Sequence, residues 1–99
     1  MTKILYRAHL IRRLKERKVP KDYPKKISQQ ARNHYWDRDT QHFVAVSDLK
    51  YAEKVRHMVV VYDKIAEDVE IITIFPIADQ ELRNKIASGR WIEKDEKSS

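Results

Sequence analysis

Residues 55–63 read Val-Arg-His-Met-Val-Val-Val-Tyr-Asp, and no other run limits the fold as much. Alternate residues of a strand point to opposite faces, so Met58, Val60 and Tyr62 fall on one side and Val59 and Val61 on the other. Both sides are apolar. A strand of this kind belongs inside a sheet and needs cover on both faces, at least in part. Two further runs rich in β-branched and aromatic residues flank it, 42–49 (HFVAVSDL) and 69–77 (VEIITIFPI). The connections 50–54 and 64–68 are of hairpin length, which predicts an antiparallel meander.

The residues around this core have a helical period. Leu10, Ile11 and Leu14 form an apolar stripe that predicts a helix over 8–18, ended by Val19-Pro20 because a residue before proline avoids the helical region. A second helix is expected over 22–35, with Asp22 as N-cap and Pro24 in the first turn. Tyr23, Ile27 and Ala31, spaced four apart, face the first helix, and Tyr35-Trp36-Asp37 makes a packing corner at the end. A short third helix is expected over 79–87, capped by Asp79, with Leu82 and Ile86 as its apolar side and Ser88-Gly89 as its stop. Trp91 then packs back onto the sheet, and residues 3–6 read either as a helical extension or as a short strand. The expected architecture is an α+β fold: two N-terminal helices, an antiparallel meander of three or four strands and a short C-terminal helix. It forms one domain over 1–92, followed by a polar tail, 93–99, with nothing to bury.

Composition excludes several kinds of chemistry. The chain has 99 residues and no Cys, which removes disulfides, thiolate catalysis and Cys-ligated zinc. Small secreted domains often need such staples, so a cytoplasmic address is expected. The first residues hold no apolar run of signal-peptide length, and no stretch approaches the ~20 apolar residues of a membrane span. A single Gly, at position 89, rules out a Gly-rich phosphate loop and a nucleophile elbow. His34, His42 and His57 show no metal-ligand spacing, so neither a metal nor a cofactor is expected.

Charge is more informative. Residues 1–38 carry 12 Lys/Arg against 3 Asp/Glu, and residues 39–99 carry 9 against 12. A field this uneven favours a polyanion such as RNA, or an acidic protein. On the first helix His9, Arg13 and Arg17 recur every four residues beside the apolar stripe, and Arg12 and Lys15 widen the basic surface. An imidazole moves protons near neutral pH, and guanidinium forks grip phosphate oxygens and stabilise a phosphorane. A merely solvated helical face has the same pattern. Tyr35, Trp36, Tyr51 and Tyr62 are candidates for base stacking, although core packing is the commoner use of such rings.

The helix His9-Leu-Ile-Arg-Arg-Leu-Lys-Glu-Arg-Lys-Val-Pro20, the strands Val59-Val-Val-Tyr62 and Ile71-Ile-Thr-Ile-Phe-Pro76, and the closing Ser88-Gly-Arg-Trp91 together resemble small prokaryotic proteins of the DUF4258 type. These look related to the RelE-like toxin and nuclease fold, also called BECR. The resemblance covers residues 6–92 and implies metal-independent RNA cleavage. In that reading His9 is the acid/base, Arg13 and Arg17 clamp the phosphate, and Thr73 hydrogen-bonds it; Arg12, Arg56, Tyr62 and Arg90 contact RNA. It also implies an acidic antitoxin-like protein as a possible partner. One position departs from the pattern. After Thr73-Ile74 the chain has Phe75 in place of a second titratable group, so Tyr62 can partner His9 only if its hydroxyl reaches the same cleft. Three functions therefore stand side by side: a toxin-like endoribonuclease, a non-catalytic RNA-binding module and a protein-interaction domain.

Overall fold

A computed structural model describes residues 2–94. The elements run β1 (Ile4–Tyr6), α1 (Ala8–Glu16), α2 (Tyr23–Gln30), β2 (Asn33–Asp37), β3 (His42–Tyr51), β4 (Lys54–Ile65), β5 (Asp68–Ile77), α3 (Asp79–Ala87) and β6 (Trp91–Lys94). The six strands form one mixed sheet in the order β1-β5-β4-β3-β2-β6. Strands β2 to β5 make an antiparallel meander, β1 pairs in parallel with β5, and β6 pairs antiparallel with β2.

The fold is α+β, as expected, but its sheet is larger than three or four strands. Several expectations change. The second helix stops at Gln30, not at 35, because Ala31 turns extended at φ −62°, ψ 134°. Residues 33–37 then pair with β3 and β6, so Tyr35-Trp36 lies in a strand. Pairing outweighs helical spacing there, since Tyr and Trp suit a pleated surface. Residues 3–6 take the strand alternative, and Glu93 and Lys94, assigned to the tail, pair in β6 with Tyr35 and His34. The rest of that tail, 95–99, lies outside the described residues. Finally, α3 begins after Ala78, so Asp79 is its first residue and not its cap, and Ile86 is 41% exposed.

Strand β4 sits at the centre, and its Met58, Val59 and Val60 are fully buried. The α1/α2 side holds Leu10, Leu14, Val19, Ile27, Ala45, Met58, Val60, Tyr62, Ile71 and Ile74. The other side holds Tyr35, Val44, Val46, Val59, Ile77 and Trp91, with Leu82 of α3 packed against them. A β-bulge separates Val61↔Thr73 from Tyr62↔Ile71, which leaves Ile72 without a partner on β4. In a regular strand Ile71 and Thr73 would share a face. The extra residue puts Ile71 and Ile74 on the helix side and Thr73, Phe75 and Ile77 on the other.

With one Gly, the chain makes its turns from other residues. Lys18 takes φ 54° after α1, where Val19 N–H donates to Leu14 O at 3.0 Å and Lys18 N–H to Lys15 O at 3.4 Å, a Schellman closure. The β3–β4 hairpin turns on Ala52 and Glu53, both left-handed at φ 53° and 69°. This two-residue turn favours Asn-Gly, and each L-residue held left-handed costs about 1–2 kcal/mol. We expect Ala52→Asn combined with Glu53→Gly to raise stability by about 1 kcal/mol after the added chain entropy of Gly. That corresponds to a thermal midpoint higher by about 4–8 °C in a domain of this size, measurable by circular dichroism.

Candidate nucleic-acid interface

Leu10 and Leu14 anchor α1 against the sheet and are buried. Burial of that stripe turns His9, Arg12 and Arg17 to solvent, with Arg13 half-buried beside them. The helical layer carries its charge in excess: residues 8–36 hold nine Lys/Arg against Glu16 and Asp22. Among the described residues, Arg12, Arg13, Arg17, Lys18, Lys21 and Lys25 form no ion pair.

The opposite face is arranged differently. There the cations meet carboxylates. Arg7 lies 2.8 Å from Glu70 and 3.5 Å from Asp63, and Asp63 also accepts from His42 Nδ1 at 2.6 Å. Arg90 Nε is 3.2 Å from Asp37 Oδ1 and 3.4 Å from Asp39. His57 is held between Asp48 and Asp79, and Arg83 lies 2.8 Å from Asp79. Ion pairs thus concentrate on this face, whereas the cations of α1 and of the segment that follows it have none among the described residues.

The residues named from sequence do not converge. His9, Arg12, Arg13 and Arg17 share the outer surface of α1. Thr73 is half-buried on the far side of the sheet, where the bulge places it, so it cannot join His9 on one phosphate. Arg90 is occupied by Asp37. Arg56 Nε donates to Tyr51 O at 2.9 Å, folded back on its own hairpin. Tyr62 is 2% exposed, so it neither stacks on a base nor serves His9. Its hydroxyl lies 2.7 Å from His34 Nδ1, while His34 Nε2 donates to Ala31 O at 3.1 Å.

Two polar clusters escaped the sequence reading. The first centres on Asp37, which is 4% exposed. Burial acts to raise its carboxyl, but bonds from the Arg90 guanidinium, the Trp91 indole N–H and the amides of Asp39 and Thr40 outweigh that and hold it at about 2. The second is His57. Strand register sets Asp48 opposite His57, and Asp79 approaches from α3. Hydrogen bonds to Asp48 and then to Asp79 raise the imidazole's pKa, against a smaller opposing effect of burial. The imidazolium thus ties β3, β4 and α3 together below its ordinary range, and the tie weakens as pH rises through the shifted value. A cleft of about 430 Å³, lined by Lys54, Arg56, His57, Pro76 and Asp79, opens beside it. The turn that pairs positions 48 and 57 is Ala52-Glu53, which lacks the Asn-Gly signature. No group of three or more His, Cys, Asp or Glu among the described residues is arranged to hold a metal ion.

Comparison of the chain with protein-family models, curated proteins and solved structures found no significant match in any of the three.

The Asp37 cluster makes a prediction about acid stability. Its folded pKa lies below the unfolded value of about 3.9, so the stabilisation is complete above about pH 4 and is lost as pH falls towards 2. Urea unfolding across this range is expected to show Asp37→Asn less stable by about 2 kcal/mol at pH 7, with the gap to wild type closing towards pH 2.

Proposed function

We propose that the chain binds RNA through the α1–α2 layer, as a recognition module and not as a nuclease. The observation that carries this reading is the split in charge compensation. Cations of the helical layer lack carboxylate partners among the described residues, while elsewhere Arg7, Arg83 and Arg90 are paired and Arg38, Lys54 and Arg56 are not. Phosphates are the partner such a surface suits, since each phosphate contact releases counterions. RNA is the polyanion to which the resemblance to RelE-like proteins points.

Cleavage needs more than this surface provides. In-line attack by a ribose 2′-OH calls for a base, an acid and cations around one phosphate. His9, Arg13 and Arg17 supply one titratable group and two cations. Thr73, Tyr62 and Arg90, the remaining contributors implied by the resemblance, are placed or bonded elsewhere. Recognition therefore stands ahead of cleavage.

The test is RNA affinity as a function of salt. The logarithm of affinity should fall linearly with the logarithm of salt concentration, and Arg12→Ala/Arg13→Ala/Arg17→Ala should reduce that slope by about 2–3, at ~0.7–0.9 per phosphate contact for single or double strands. Arg83→Ala should leave it unchanged. Affinity that is flat with salt, or an acidic protein captured while RNA is ignored, would contradict the proposal.

A further inference from the structure

From the placement of the aromatic rings we infer that the nucleic acid recognised by the helical layer is a double helix, read through its backbone and not through its bases. The inference rests on the RNA-binding reading and narrows its substrate. Proteins that hold single strands combine a basic groove with exposed rings on which bases stack, each stack contributing about 1–3 kcal/mol. Here the rings near α1 and α2 are half-buried and tied down.

Of the chain's nine Phe, Trp and Tyr side chains, Tyr35, Tyr62 and Trp91 are buried and the other six are half-buried. Tyr6, Tyr23 and Tyr51 pack against the core, and their hydroxyls are engaged by the backbone of basic segments. Tyr6 donates to Lys21 O at 2.8 Å, Tyr23 to Lys50 O at 2.6 Å and Tyr51 to Arg17 O at 2.9 Å. Swinging any of these rings out to meet a base breaks its hydrogen bond and uncovers apolar surface. Trp36 is held edge-on against Phe43 with 4.9 Å between centroids, and Phe43 in turn stacks on Tyr62 at 5.5 Å. The depression on α2, about 260 Å³ and lined by Asp22, Lys25, Lys26, Gln29 and Gln30, is shallow and polar. His9 carries the one exposed aromatic ring among the described residues, and one imidazole is no platform for successive bases.

The tyrosine bonds do something further. They fasten the α1–α2 connection to β1, the start of α2 to β3 and the end of β3 to the end of α1, so Arg17, Lys21 and Lys50 project from pinned backbone. A fixed array of cations suits a fixed array of phosphates. Duplex RNA offers such an array, and proteins read it by shape and backbone, with little regard for sequence.

Fluorescence anisotropy with a labelled 16-base-pair RNA duplex and its 16-nucleotide single strand, at the same salt, tests this. The duplex is expected to bind at least tenfold more tightly, and duplexes of scrambled sequence within about twofold of one another. A DNA duplex shares the phosphate chemistry; weaker binding than RNA would assign the preference to A-form geometry, and equal binding to charge alone, both within the inference. A single strand that binds as tightly as the duplex, or a strong dependence on duplex sequence, overturns the inference while RNA binding stands. Absence of salt-dependent binding to either form overturns both. Tyr51→Phe keeps the ring and removes the Arg17 bond. It should weaken duplex binding several-fold without creating single-strand binding, and a gain of single-strand affinity would count against the role given to these rings.

Discussion

Burial of β4 on both faces is the constraint on which the rest of the structure depends. Met58, Val59 and Val60 are fully buried, so apolar cover must exist above and below the sheet. On one side α1 and α2 supply it through Leu10, Leu14 and Ile27; on the other Trp91 and Leu82 contribute. The cover on the first side decides where the charge goes. Once Leu10 and Leu14 face the sheet, the helical period leaves His9, Arg12 and Arg17 no place but solvent. The basic surface is thus a consequence of the core, held in position by it.

The β5 bulge is the second determinant. It keeps Ile71 and Ile74 on the helix side while sending Thr73 and Phe75 away from it. A single unpaired residue, Ile72, therefore separates the two groups, His9 and Thr73, that a phosphodiester-cleaving site would have to bring together. Phe75, which stood in sequence as a departure from the resembled pattern, packs against the far core alongside Val59 and Ile77. On that face Asp37, Asp63 and His57 are each bonded to neighbouring side chains.

Much of this was legible in the residues. The alternation of 55–63 identified the central strand and its two covered faces, and the stripe Leu10, Ile11, Leu14 identified α1, although only Leu10 and Leu14 are buried and Ile11 is 39% exposed. What stayed hidden was non-local. Strands β1 and β6 are three and four residues long and exist by pairing with the edges of a sheet already formed. Residues 33–37 follow α2 with no Gly or Pro between them, so only partners on β3 and β6 mark them as a strand. The bulge carries no sequence signature, since Ile71, Ile72 and Ile74 are alike and either register buries an isoleucine. The His57–Asp48 pair follows from the hairpin register, which a turn of Ala and Glu conceals.

The central claim is that the α1–α2 surface, and not the polar clusters across the sheet, meets the ligand. Titration of uniformly ¹⁵N-labelled protein with the RNA duplex, followed by amide chemical shifts, tests that directly. The account predicts that the perturbed amides cluster around Arg12, Arg13, Arg17, Lys18 and Lys21, and that those of Asp48, His57 and Asp79 stay still. Perturbations concentrated at the His57 cleft, with α1 unmoved, would contradict it.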